Sequence, residues 1–169
     1  DRAAGLSLAL VPVAGSAESI PCASYGDAGV GGAGVLTCFI SDQVKQREES
    51  GQRQHARPPT PTSLNPLWRL IGNAPFCGSS VSATSLAVDP TTASLIVSYR
   101  DGGYGGKLSV SRVDAAAGGW TLLGRRGWSE ASVWRTRARV TSAGGIYVAY
   151  EIGAGLEEAD GVSVFKWGA

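Results

Sequence analysis

Arg135, Arg137 and Arg139 occupy alternate positions in the run VWRTRARVT. In an extended strand, alternate side chains point to one face, so this spacing sets three guanidinium groups in a row. Guanidinium donates in a fork and accepts nothing. Such a row suits carboxylates, anionic glycans or sulfate. Three readings fit it: an exposed face balanced by Glu151, Glu157, Glu158 and Asp160, an interface with an acidic protein partner, or a site for an anionic glycan or sulfate. Arg125 and Arg126 precede Trp128, and Trp134 follows. Arginine beside tryptophan can stack on a sugar ring. Trp128 has a competing reading as an apolar plug, the role Phe76 would fill one repeat earlier. The candidate binding residues are therefore Arg135, Arg137, Arg139, Trp128 and Trp134.

The remaining reactive side chains are few. The three cysteines, Cys22, Cys38 and Cys77, form no CxxC pair, and the chain has one histidine. No zinc site is expected from such a set, and no other metal or cofactor is expected either. The loop Asp101-Gly102-Gly103-Tyr104-Gly105-Gly106 lacks the Lys-Ser/Thr and the helix of a phosphate loop. One carboxylate is too few for calcium, so Asp101 reads as a turn former. His55 lies in a polar stretch where a general base would be poorly held. No Ser-x-Asp-x-Gly-x-Thr-Trp box of the sialidase kind is present. No catalytic residue is assigned and an enzyme is not expected, although carboxylates brought together from distant strands leave a glycoside-acting hydrolase open.

The elements that must hold these residues are strands. The chain has 169 residues, 24 glycines, 8 prolines and 17% charged residues. Many short strands joined by glycine-rich turns give this composition. A formal net charge of +1 argues against a dedicated nucleic-acid binder, which needs to neutralise phosphates. No apolar run reaches the ~20 residues that span a membrane, so no membrane insertion is expected. The absence of methionine and the start at Asp1 lead to the expectation of a processed product or a piece of a larger chain.

Two stretches superpose at a shift of about 52 residues, which sets Trp68 on Trp120. WRLIG at Trp68 matches WTLLG at Trp120, SLAV at Ser85 falls on RARV at Arg137, and VSYRD at Val97 matches VAYEI at Val148. Fixed-period self-similarity of this kind marks stacked supersecondary units. A weaker first copy begins with SLAL at Ser7, and SYGDAG at Ser24 resembles SYRDGG at Ser98. The expected fold is all-β: about three four-stranded antiparallel repeats of the β-propeller-blade type, in a ring that this chain alone does not close. The expected units are 1–42 (a partial blade lacking its first strand), 43–66 (a polar and proline-rich insertion), 67–119 and 120–169. Unbroken apolar runs at Leu95-Ile96-Val97 and Ile146-Tyr147-Val148-Ala149 predict strands buried on both faces. In this alignment Cys22 and Cys38 fall on neighbouring antiparallel strands, with the turn 26–34 centred between them. A Cys22–Cys38 disulfide is one expectation. Two buried thiols, or a bond from Cys77 to one of them, are the others.

The pattern W-x-x-[LI]-G, S-L-A-V-D, V-[SA]-Y-[RE]-[DI] and [LV]-S-V-x-[RK] resembles blade repeats of large secreted or surface proteins of bacteria and green algae. Among these are mastigoneme-like proteins and cell-wall glycoproteins. The likeness runs from Trp68 to Lys166 and more faintly from Leu6 to Ile40. It implies an extracellular or cell-surface location, on a flagellar surface or in a cell wall, and a structural role with glycosylation. The expected partners are other blades of the same parent chain or further copies of it, with glycans as a second class. The alternative is a carbohydrate-binding, lectin-like propeller.

Overall fold

The computed structural model describes residues 4–12, 19–27, 33–40, 67–71, 76–113, 119–153 and 161–167. The insertion at 43–66, including His55, lies outside them, as do Glu157, Glu158 and Asp160. Eleven strands and one 3-10 turn make up the regular structure of the described residues. The chain is all-β and its strands pair antiparallel throughout the described ladders.

Three sheets follow one another along the chain. The first runs β1 (Ala4–Pro12), β2 (Ser19–Asp27), β3 (Ala33–Ile40) and β4 (Leu67–Leu70). The second runs β5 (Cys77–Val88), β6 (Leu95–Asp101), β7 (Lys107–Val113) and β8 (Trp120–Leu122). The third is β9 (Val133–Val140), β10 (Ile146–Ile152) and β11 (Gly161–Trp167). Short bridges at Ala33↔Ser80 and Gly34↔Cys77 join the first two at one corner.

The unit boundaries move by one strand from those expected. The strand holding Trp68 pairs back onto β3, and the strand holding Trp120 pairs back onto β7. Each is the last strand of the earlier sheet. The first sheet therefore has its fourth strand, and the third sheet has three strands among the described residues. At twelve residues β5 is longer than β6, which has seven, and Cys77 is its first residue. Its extra length crosses a bulge between Ser82 and Ser85, where Ala83 takes φ 48°.

Turn chemistry fixes the hairpins. Between β5 and β6, the Asp89 carboxylate accepts from Thr91 N (2.9 Å), Thr91 Oγ1 (2.7 Å) and Thr92 Oγ1 (2.8 Å). That is an Asx-type turn, closed by the Asp89 N–H on Ser94 O. Between β6 and β7, a 3-10 turn at Gly102–Tyr104 leads into Gly105 and Gly106, both left-handed at φ 67° and 74°. A residue with a Cβ would be strained at each.

The middle sheet is covered on both faces. Leu86, Leu95, Val97, Tyr99 and Phe76 pack toward the first sheet around Cys22. Ala87, Ile96, Leu108 and Val110 pack toward the third around Val133, Ala138, Ile146 and Val148. The run Leu95-Ile96-Val97 is buried on both sides, as its unbroken apolar character predicts, each such side chain contributing about 1.5–3 kcal/mol. The corresponding run in the third sheet differs. Ile146 and Val148 are buried, but Tyr147 is 36% exposed.

The aromatic anchors repeat with the sheets. Phe76 sits 5.1 Å edge-on to Tyr99 and 5.0 Å from Trp120. One repeat on, Trp128 sits 5.4 Å edge-on to Tyr150 and 4.6 Å from Phe165.

Candidate functional site

Consecutive sheets are joined by a recurring set of side-chain to backbone contacts, and these define the surface of interest. Ser7 on β1 lies opposite Ser24 on β2, and Ser85 on β5 lies opposite Ser98 on β6. Each leading serine faces the next sheet. Ser7 Oγ accepts from Leu86 N at 3.0 Å, and Ser85 Oγ accepts from Ala138 N at 3.0 Å. A threonine on the later sheet completes the link. Thr84 Oγ1 donates to Ser24 O at 3.0 Å, and Thr136 Oγ1 lies 2.9 Å from Ser98 Oγ as its donor. The two serine contacts satisfy the Leu86 and Ala138 N–H groups on β5 and β9.

The same rung in the third sheet is Arg137 opposite Ala149 opposite Val164. Both hydroxyls are gone. Arg135, Arg137 and Arg139 project together from the exposed face of β9, while Val133, Thr136 and Ala138 are buried on the other side. Glu151 lies opposite Arg135, with the Nε–Oε2 distance at 3.9 Å and the arginine side chain 85% exposed. Exposed pairs of this length contribute little. Among the described residues, neither Arg137 nor Arg139 forms an ion pair. The face continues across the sheet through Tyr147, Val162 and Val164, the last two 74% and 68% exposed. Val110, which holds the position of Val164 in the middle sheet, is 4% exposed.

The two tryptophans do not form one platform. Trp128 is half-buried and packs into the second core cluster, so it plays the plug that Phe76 plays in the preceding unit. Trp134 is 65% exposed and lies at the bulge of β9, with its indole over Gly153. Among the described residues the two rings share no contact. Cys22 is disulfide-bonded, and Cys38 stands directly opposite it across the β2–β3 ladder. Cys77 is a free, buried thiol.

No protein-family model matches the sequence, and a search of curated proteins returns no match. The chemistry must be read from the residues themselves.

A second polar cluster was hidden in the sequence. Asp101, fully buried, accepts from Ser79 Oγ (2.7 Å) and Gly103 N (3.1 Å) on Oδ1, and from Ser109 Oγ (3.1 Å) and Arg126 Nε (3.0 Å) on Oδ2. Arg126 Nη2 is 2.9 Å from the same oxygen and 2.8 Å from Cys77 Sγ, and its guanidinium carbon lies 4.8 Å from the Tyr104 ring centroid. Burial alone would raise the Asp101 pKa. The Ser79 hydroxyl, the Arg126 charge and the Ser109 hydroxyl outweigh it and hold the carboxyl below its ordinary value. Asp101 forms the turn expected of it and also ties β5, the β6–β7 hairpin and the β8–β9 connection together. Both carboxylate oxygens are engaged by donors from separate elements, so this cluster is a structural clasp. Its 25-residue separation left no periodic signal in the sequence.

Among the described residues, no group of three or more metal-ligating side chains gathers, and no helix is long and apolar enough to cross a membrane. The face around Arg137 is the surface on which a binding function would rest.

Proposed function

We propose that this chain is a structural or interaction module of an extracellular or cell-surface assembly, built of β-propeller blades that a longer parent chain or further subunits complete. The observation that carries this reading is the rung Arg137–Ala149–Val164, whose counterpart in the middle sheet is buried by a neighbouring sheet. A face that is covered within the repeat but open in the third unit invites a partner. Packing of the first strand of each sheet against the first strand of the next fits blade-like stacking. The disulfide at Cys22 suits an oxidising compartment, in line with the resemblance to surface-protein repeats. A lectin role draws less support, because Trp128 is used in packing and, among the described residues, Trp134 has no aromatic partner.

Sedimentation velocity of the isolated chain, combined with binding of a hydrophobic dye, tests the reading. Concentration-dependent association or dye binding is expected. A well-folded, dye-silent monomer of 17.3 kDa would overturn it. A glycan array addresses the lectin alternative: binding abolished by Trp134→Ala would favour it.

A further inference from the structure

We infer that the partner seated on the arginine face is a β-sheet whose facing strand carries carboxylates at alternate positions. This inference rests on the assembly reading above and names the chemistry of its partner.

The first argument is an inversion of hydrogen-bonding sense. At the two internal interfaces, the earlier sheet presents a serine oxygen and the later sheet brings a backbone N–H to it. Arg137 occupies the serine's place by register. A guanidinium has no acceptor to offer an N–H. A sheet of the kind already in the chain would therefore arrive with its donor against a donor. The partner must supply acceptors instead, and three cations in a row ask for anionic ones.

The second argument is spacing. Alternate residues on a strand repeat every ~6.8 Å. A facing strand with Asp or Glu at every second position repeats at the same interval and can meet Arg135, Arg137 and Arg139 in one register. The third is the apolar part of the face. Tyr147, Val162 and Val164 stand beside the arginines and are exposed. A sheet would cover them as the third sheet covers Ile96 and Val110, whereas a sulfated polysaccharide would leave them wet. Continuity with the internal interfaces points the same way.

The test uses the intact chain and a fluorescent cyclic β-hairpin peptide with glutamate at three alternate positions of one strand and valine beside them. A hairpin with glutamine at those positions and a sulfated oligosaccharide serve as competitors. Fluorescence anisotropy should show the glutamate hairpin binding at least about tenfold more tightly than the glutamine one, the scale expected for a few partly exposed ion pairs. High salt should erase most of that difference. The triple variant Arg135→Ala, Arg137→Ser, Arg139→Ala changes exposed side chains only and should lose the preference. Equal binding of both hairpins would overturn the carboxylate chemistry while leaving the assembly reading intact. Preference for the sulfated oligosaccharide, or binding of neither hairpin, would overturn the inference. If the chain is also a dye-silent monomer, the assembly reading falls with it.

Discussion

Replacing Asp101 by asparagine keeps the shape of a fully buried side chain and removes its charge. Hydrogen bonds to a charged acceptor contribute about 1.5–3 kcal/mol, against about 0.5–1.5 kcal/mol for neutral ones. Asp101 takes hydrogen bonds from Ser79, Gly103, Ser109 and Arg126. The serine hydroxyls can turn to accept from an amide, but the Gly103 N–H and the guanidinium cannot. Arg126 is 32% exposed, so water recovers part of its share. The expected loss is about 3 kcal/mol, which in a chain of 169 residues lowers Tm by roughly 6–12 °C. Urea denaturation followed by circular dichroism measures it. A double-mutant cycle with Arg126→Ala should give a coupling of about 1–2 kcal/mol, since the two groups share one network. A loss below about 1 kcal/mol for Asp101→Asn, or strict additivity in the cycle, would refute the clasp.

Acid should weaken the fold through the same carboxylate. Asp101 and Asp89 both titrate below the ordinary carboxyl value of 3.8, because their hydrogen bonds outweigh burial, and at Asp101 the Arg126 charge adds to them. Their stabilisation is complete above that value and is lost as pH falls through the lower folded-state values; the urea midpoint should be flat near neutrality and fall below about pH 4, less steeply in Asp101→Asn. Trp128→Ala should cost about 2–4 kcal/mol in a denaturant titration, because it opens the packing with Tyr150 and Phe165. Trp134→Ala, at an exposed position, should stay within about 0.5–1 kcal/mol of the parent. Gly127→Ala should destabilise by more than about 1 kcal/mol, since Gly127 has φ 57° and an added Cβ would lie 2.7 Å from Tyr104 Cβ; a smaller loss would mean that the backbone relaxes there.

The sequence pattern carried the strand content well and the phase of the units poorly. A translational repeat is unchanged wherever its boundary is drawn, so the spacing from Trp68 to Trp120 could not say which sheet each tryptophan strand joins. Hydrogen bonding to β3 and β7 decides that. The cysteine register was legible because a hairpin centred on the turn sets Cys22 opposite Cys38. The start of β5 was not: its first half is Cys-Gly-Ser-Ser-Val-Ser, weak in strand preference and interrupted by the bulge near Ala83. The alternation of the three arginines was plain from the chain, and so was the contrast with the small residues one repeat earlier. That Ser7 and Ser85 serve as acceptors for a neighbouring backbone was not, because the contacts join positions 79 and 53 residues apart.

Each internal interface of this chain has a direction. A serine on the earlier sheet accepts and a backbone N–H on the later sheet donates. Contacts of this head-to-tail sort have no built-in end: repeated, they close into a ring or run on as a fibre. Arg137 holds the register position of that serine in the third sheet and interrupts the pattern. A sheet that brought a bare backbone N–H to that position would meet a donor, so the sheet that follows has to carry an acceptor there. Restoring serine would recreate the acceptor of the internal interfaces and change which sheets can follow.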